Sequence, residues 1–258
     1  MIISIVNKTH GTIADEAVQT AIRAINWQIE NDFAPYWNTT ATLRLEGKPT
    51  GKPQKQAIAD LRGDAVIYLW DKTDAPNALG YHEKNNAGIP YGFVFAALSK
   101  QLKESWSATL SHEALELIGD PDVNLMVLGP HPKHPGQTVF HWREMCDAVQ
   151  ADHYRIDGVD VSNFVLPAYF TSGEERGMRN DFLGRAHAGK TLRSFGVLPG
   201  GYVSFLNPTT GVSEVFANRG DKMAAHRLRL KQAAGNTRRS TRHHGNIVAA
   251  SQKAAGRK

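Results

Sequence analysis

Residues 111–122 have the sequence SHEALELIGDPD, and the helix predicted around this stretch is the element from which the fold is interpreted. Apolar residues recur at helical spacing before and within it, which predicts a helix over residues 100–118. Gly119 and Pro121 follow directly and are typical of a helix end. The stretch therefore predicts a long helix with one apolar side and one polar side.

The polar side of this helix carries side chains that bind divalent metal ions. His112 and Glu116 are four residues apart, so they project from the same side of the helix. An imidazole nitrogen and a carboxylate oxygen placed in this way can bind one ion at about 2.0–2.2 Å. Gly119 permits a left-handed turn that brings back Asp122, or alternatively Asp120, as a third ligand. A solvated helix face carries the same kind of stripe, so both interpretations remain open.

The motif resembles that of the zincin metallopeptidases, specifically the metzincin branch, which has the pattern His-Glu-x-x-His-x-x-Gly-x-x-His/Asp. The resemblance implies that His112 is the first metal ligand and Glu113 the general base. It also implies that Asp122 is the third ligand, after the helix-ending Gly119. Glu116 stands where the family has a histidine, and its negative charge should make the ion a weaker Lewis acid.

The resemblance further implies a metal-dependent hydrolase, namely a zinc metallopeptidase that holds one divalent ion. In the family, the edge strand before the active-site helix binds peptide by strand addition, and residues 89–95 occupy that place here. The substrate-binding residues expected there are Tyr91, Gly92 and Phe93. Met145 is the candidate for the methionine that the family places beneath the metal. The alternative is a non-catalytic zincin-like binding or assembly protein whose basic tail docks on nucleic acid or a partner.

Hydrophobic periodicity along the chain predicts an α+β fold. Besides the helix at 100–118, it predicts a helix at 14–31 and strands at 1–7, 41–45, 65–70, 79–82, 89–95, 139–142, 154–156, 202–206 and 212–216. This order agrees with a metzincin-like α/β/α core that contains a mixed sheet and the active-site helix. We expect a metzincin-like domain over residues 1–150, a β-rich extension over 151–223 packed on the same core, and a disordered basic tail over 224–258.

Composition and charge exclude several classes of protein. No run of about 20 apolar residues is present, so no membrane span is expected, and the N-terminus lacks the pattern of a secretory signal. The single cysteine, Cys146, excludes an internal disulfide and favours a reducing compartment, which predicts a cytoplasmic location. The net charge of +5 arises from residues 219–258, where 11 basic residues accompany one acidic residue. We predict that residues 226–258 contact nucleic-acid phosphates or another anionic partner, or else act as a solubilising extension.

A second group of possible ligands lies between residues 141 and 153. Its members are His141, Glu144, Cys146, Asp147, Asp152 and His153. The group could supply the third ligand in place of Asp122 or bind a separate ion, although its spacing matches no zinc motif. The competing interpretation is an ordinary polar loop in which Cys146 is buried by packing.

Overall fold

The computed structural model describes residues 1–47, 63–71, 79–85, 87–134, 136–173 and 177–218. The strands are β1 (Ile2–Lys8), β2 (Thr42–Leu45), β3 (Ala65–Trp70), β4 (Gly80–Lys84), β5 (Pro90–Phe95), β6 (Met126–Pro130), β7 (Thr138–Trp142), β8 (His153–Ile156), β9 (Val159–Ser162), β10 (Val203–Asn207) and β11 (Val212–Phe216). The α-helices are α1 (Asp15–Gln28), α2 (Ala34–Trp37), α3 (Ala96–Leu102) and α4 (Trp106–Gly119), with a π-helical turn at Ile29–Phe33 and 3₁₀ turns at Asp147–Val149 and Pro167–Phe170. The predicted α+β class is confirmed.

Five strands form the main sheet in the order β2-β1-β3-β5-β4. β1, β2, β3 and β5 are parallel, and β4 joins β5 as an antiparallel strand at one end of the order. Parallel neighbours need a crossover connection, and α1 lies in the one between β1 and β2. β3 is apolar along its length, with four of its six residues buried, as expected for a central strand.

The two long helices share one hydrophobic core with the main sheet. Val18, Ile22 and Ile25 are buried on α1, which confirms the helical spacing predicted there. Leu110 and Leu117 of α4 belong to the same core. α4 packs against β4 and β5, and this packing brings the polar side chains of the helix beside these strands.

The helix predicted over residues 100–118 is divided in the structure. α3 ends because Lys103 adopts a left-handed backbone conformation with φ of 56°, and α4 begins at Trp106. The apolar spacing continues across the break, so periodicity alone cannot reveal it. The prediction of one continuous helix is wrong at this point, whereas the helix over the His/Glu motif is confirmed.

Gly119 has a packing role rather than the conformational role expected from the sequence. It is the last residue of α4 and does not have a positive φ, whereas Val123 in the following loop has φ of 52°. A Cβ at Gly119 would lie 3.0 Å from Cγ of Met145, which is fully buried. The missing side chain at Gly119 therefore makes room for Met145 beneath the end of the helix.

The remaining strands form two antiparallel sheets. β11, β10, β7 and β6 make a four-stranded sheet in that order, and β8 pairs with β9 in a hairpin. The strands predicted at 202–206 and 212–216 are confirmed as β10 and β11, which pair in an antiparallel hairpin. Ile156, Val161, Phe164 and Leu166 belong to the same core as α1 and α4, so the residues after 151 pack directly on the first part of the chain.

Within the described ranges, no helix has the length and apolar character needed to cross a bilayer. This agrees with the membrane prediction made from the sequence. The tail predicted over residues 224–258 lies outside the described residues, and so does the part of the predicted extension beyond residue 218.

Candidate metal centre

Six ionisable side chains converge where α4 meets β4 and the segment that follows β7. They are His82 on β4, His112, Glu113 and Glu116 on α4, and Glu144 and Asp147 after β7, and we call them the His/carboxylate cluster. All are buried except His112, whose side chain is 14% exposed. Burying ionisable groups costs free energy unless they are paired or bind an ion. This concentration makes the cluster the strongest candidate for a functional site among the described residues.

Two glycines allow the strands to approach the helix at this place. His82 is paired with Gly92 of β5, so no neighbouring side chain competes with the imidazole for the space in front of α4. Gly80 lies two residues earlier on β4, and a Cβ there would be 2.7 Å from Oε1 of Glu113. Glu113 can therefore lie directly against β4, which a larger residue at position 80 would prevent.

Three of the six residues form a group that we call the outer triad: His112, Glu116 and Asp147. Nε2 of His112 lies 3.3 Å from Oε2 of Glu116 and 3.4 Å from Oδ1 of Asp147. An ion about 2.1 Å from each ligand in a tetrahedral arrangement separates the ligand atoms by roughly 3.4 Å. The spacing and the donor types therefore fit a divalent ion, and His112 is the most exposed of the three side chains.

A second group, the inner triad, consists of His82, Glu113 and Glu116. Nδ1 of His82 lies 3.2 Å from Oε2 of Glu113 and 3.5 Å from Oε2 of Glu116. These three side chains are only 2%, 6% and 4% exposed. On the other side of the ring, Nε2 of His82 lies 4.0 Å from Oε2 of Glu144. This buried group could also hold a metal ion.

Glu116 belongs to both triads, and its two oxygens have different surroundings. Oε1 accepts a hydrogen bond from the backbone N–H of Cys146 at 3.2 Å. Oε2 is the atom closest to both imidazoles. The hydrogen bond from the Cys146 amide fixes the orientation of the carboxylate, as hydrogen-bond partners of metal ligands commonly do.

The negative charge of the cluster changes the ionisation of neighbouring groups. Burial disfavours a charged imidazole at His112, but the carboxylates of Glu116 and Asp147 outweigh it and raise the pKa of His112 well above its usual value. Burial also raises the pKa of the Cys146 thiol well above its usual value, and the charge of Glu116 raises it further. Cys146 is therefore a protonated, buried thiol, which agrees with its interpretation as a packing residue.

The two aspartates predicted as third ligands lie elsewhere. The side chain of Asp122 is 56% exposed and forms an ion pair with Lys84. Asp120 is buried, but its carboxylate accepts the backbone N–H groups of Asn124 and Leu125 at 3.1 and 2.9 Å. The structure does not bring either aspartate together with the helix ligands, because both are used to hold the loop that follows α4. Asp147 is instead the carboxylate that lies beside His112 and Glu116.

The group predicted between residues 141 and 153 separates into different environments. Glu144 and Asp147 join the His/carboxylate cluster, whereas His141 donates from Nε2 to a backbone carbonyl 2.9 Å away. Asp152 pairs with a histidine outside the group at 2.9 Å, and His153 is exposed on β8. Two of the six residues that the sequence grouped here, Glu144 and Asp147, therefore lie in the cluster, and the other four do not.

The expected substrate-binding strand lies inside the sheet rather than at its edge. Tyr91, Gly92 and Phe93 of β5 are paired with β3 on one side and with β4 on the other. The hydroxyl of Tyr91 also donates to Oε2 of Glu83 at 2.6 Å. A peptide cannot add to β5 because both of its edges are occupied, so this prediction is wrong. The strand at this end of the sheet is β4.

His82 is the residue of the cluster that the sequence did not single out. It lies 30 residues before the helix motif, in a predicted strand with no metal-ligand spacing around it. A histidine at the end of a short predicted strand was the only available signal. Its position beside Glu113 depends on how β4 pairs with β5, which the sequence does not specify.

No protein-family model matches this sequence, and a search of curated proteins also found no match.

Proposed function

We propose that this protein is a metal-dependent hydrolase that cleaves peptide bonds and holds its ion, most simply zinc, through the outer triad of His112, Glu116 and Asp147. The single observation that supports this most strongly is the spacing of the triad together with the partial exposure of His112. Nε2 of His112 lies 3.3 Å from Oε2 of Glu116 and 3.4 Å from Oδ1 of Asp147, and the side chain of His112 is partly exposed. Catalytic zinc sites commonly combine three protein ligands with one accessible position.

Glu113 would act as the general base. It follows the ligand His112 directly, and its carboxylate is held near the centre of the cluster by His82 at 3.2 Å. A carboxylate in this position accepts the proton of the attacking water and passes it to the leaving amine. A divalent ion bound to the outer triad would supply Lewis acidity at the scissile carbonyl.

A peptide substrate would lie along β4 in this proposal. β4 is one of the two terminal strands of the described sheet, and it carries His82 of the cluster. A peptide that extends the sheet beyond this strand would therefore pass beside the cluster. This replaces the role that the sequence suggested for β5.

Two substitutions test the proposal. His112→Ala should lower the zinc content of the full-length protein relative to the wild type, because it deletes the only nitrogen ligand of the outer triad. His153→Ala, on the exposed face of β8, is the control and should leave the zinc content unchanged. Zinc content is measured by inductively coupled plasma mass spectrometry, and equal near-zero content in wild type and variants would overturn the proposal.

Catalysis is tested separately with a peptide library. Glu113→Gln should lower kcat/KM by about 10²–10⁴-fold, the usual effect of losing a general base. The zinc ion of the outer triad should be retained, because Glu113 is not one of its ligands. Glu30→Gln removes an exposed carboxylate and should retain activity. Zinc binding without cleavage of any peptide by the wild type would instead favour a non-catalytic role.

The non-catalytic alternative is favoured by one observation, the carboxylate at position 116. Glu116 adds negative charge directly at the ion and reduces its Lewis acidity. A zinc site of this kind could stabilise the packing of α4 on β4 without catalysis. In that case, chelation would lower the thermal unfolding temperature although no cleavage is detected.

A further inference from the structure

We infer that the His/carboxylate cluster binds two divalent cations, with the second held by the inner triad of His82, Glu113 and Glu116. The inference rests on the proposed function in one respect, namely that the outer triad binds the first ion. Glu116 would be shared between the two ions. Nothing in the zincin pattern of the sequence implies this second site, because His82 lies outside the motif.

The inner triad has the donor types and the spacing of a cation site. One imidazole nitrogen and two carboxylate oxygens lie within 4.8 Å of one another. The distances from Nδ1 of His82 to Glu113 and Glu116, 3.2 and 3.5 Å, lie on both sides of the roughly 3.4 Å expected between ligands of a tetrahedral ion. The inner triad is therefore spaced for an ion as well as the outer one is.

The arrangement of the two triads favours one ion in each triad over a single ion bound by both. His112 and Glu113 are consecutive on α4, so their side chains leave the helix about 100° apart. Each triad has its own histidine, and Glu116 is the only residue that they share. The Oε2 atom of Glu116 faces both imidazoles while Oε1 is held by the Cys146 amide. A carboxylate between two such groups is well placed to bridge two ions.

The backbone around β4 is shaped to let Glu113 reach the inner triad. A Cβ at Gly80 would lie 2.7 Å from Oε1 of Glu113, so the carboxylate occupies space that a side chain at position 80 would fill. Oε1 packs against the strand, and Oε2 is thereby directed to His82. This close approach is independent of the contacts within the cluster and places the carboxylate next to the imidazole.

The charge of the six side chains agrees with two ions. The four carboxylates carry four negative charges when ionised, and imidazoles that act as ligands are neutral. Two divalent cations compensate these charges, whereas one leaves two negative charges in a buried region. Uncompensated charge of this kind is costly away from water.

The two sites differ in access, and this gives the second ion a regulatory effect. The inner triad is enclosed, with side chains no more than 6% exposed, whereas the outer triad is open at His112. Two cations that share a ligand repel each other, so the ions should bind in two steps. An ion in the inner triad would bind Oε2 of Glu113 and withdraw charge from its carboxylate, which would make Glu113 a weaker base. We therefore expect excess metal to inhibit the hydrolase.

The experiment measures zinc binding to the full-length, metal-free protein by isothermal titration calorimetry and by metal analysis after gel filtration. The wild type should bind two zinc ions in two steps. His82→Ala should bind one ion, His112→Ala should bind one ion, and His153→Ala should still bind two. Circular dichroism and thermal unfolding establish that each variant is folded.

The outcomes separate this inference from the proposed function. One ion in the wild type that is lost in His112→Ala and kept in His82→Ala would overturn the second site and leave the hydrolase proposal standing. Two ions in His82→Ala would also overturn it, because the second ion would then lie outside the inner triad. No bound ion at all would overturn both proposals.

A spectroscopic measurement on the wild type does not depend on how the variants fold. Mn²⁺ ions that share the Glu116 carboxylate should be magnetically coupled, so the protein loaded with two equivalents of Mn²⁺ and separated from unbound metal should lose the six-line electron paramagnetic resonance signal of an isolated ion. Retention of the isolated signal at two equivalents would contradict a shared ligand. The same sample at one equivalent is the control and should show an uncoupled ion.

Discussion

A carboxylate at position 116 meets three demands that a histidine could not meet together. One oxygen accepts the backbone N–H of Cys146, and the other faces the imidazoles of His82 and His112. A neutral imidazole has only one acceptor nitrogen, so it could either bind an ion or accept the amide. The departure from the zincin pattern is thus consistent with the surroundings of Glu116 in this fold.

His141 lies outside both triads and should make the stability of the protein depend on pH. Burial lowers its pKa, Nε2 donates to the carbonyl of Pro130, and Nδ1 has no hydrogen-bond partner within the described part of the chain. The folded protein therefore keeps His141 neutral, while the unfolded chain takes up a proton below about pH 6.5. The free energy of unfolding should fall as the pH drops through this value, until the folded histidine is itself protonated.

Urea unfolding of His141→Gln measures this contribution. In the presence of a chelator, the substitution should cost less stability near pH 5.5 than near pH 7.5, because the unfolded wild type gains a proton only at the lower pH. His153→Gln, on the exposed face of β8, controls for the loss of a histidine in general. An equal cost of His141→Gln at both pH values would show that its neutral form is not favoured by folding.

The left-handed backbone conformation of Lys103, between α3 and α4, should lower the free energy of unfolding. Lys103 has φ of 56° at the end of α3, a conformation that costs a residue with a side chain about 1–2 kcal/mol. Glycine adopts it without this strain, so Lys103→Gly should raise the free energy of unfolding by about 0.5–1 kcal/mol after its larger loss of entropy. Lys100→Gly, inside the same helix, should lower it by about 1 kcal/mol. A loss of stability in both variants, measured in urea, would contradict the assignment of the break.

The sequence predicts the elements of this protein better than it predicts their ends and their partners. The spacing of Val18, Ile22 and Ile25 and the apolar run of β3 reflect burial directly, so both elements are where the pattern places them. The break at Lys103 is invisible because the apolar spacing is in phase on both sides. Backbone conformation at a single exposed lysine leaves no periodic signal.

The same distinction explains how much of the candidate site could be predicted. His112 and Glu116 are four residues apart on one helix, and this spacing lets Nε2 of His112 lie 3.3 Å from Oε2 of Glu116. His82 and Asp147 reach them through the pairing of β4 with β5 and through the path of the chain after β7. Such contacts between distant residues depend on tertiary packing, which periodicity does not describe. The loop after α4 was the nearest source of a third ligand, but its aspartates hold backbone amides or pair with lysine.

At the scale of the whole molecule, a buried polar network joins the first part of the chain to the residues after 151. Gln28, at the end of α1, is fully buried. Its Nε2 donates to the carbonyl of Ser162 at 2.7 Å and to the hydroxyl of Tyr154 at 3.1 Å. The hydroxyl of Ser111 on α4 donates to Oε1 of Gln28 at 2.6 Å and accepts the backbone N–H of Ser162 at 3.0 Å. One side chain thus connects α1, α4 and the β8–β9 hairpin.

Gln28→Leu should destabilise the whole protein, because the substitution retains the side chain's approximate volume but removes all three hydrogen bonds. The carbonyl of Ser162 and the hydroxyl of Ser111 would be left buried without the amide, and each unsatisfied group costs about 1–3 kcal/mol. We expect the free energy of unfolding in urea to fall by roughly 2–4 kcal/mol, since the network is shared and the costs are not fully additive. Gln19→Leu, on the exposed side of α1, is the matched control and should change stability by less than about 0.5 kcal/mol.

If the β-rich part were an independent unit, Gln28→Leu would instead split unfolding into two transitions, and the unfolding curves from tryptophan fluorescence and circular dichroism would no longer coincide. A single transition shifted to lower urea in both signals is the result that a shared core requires.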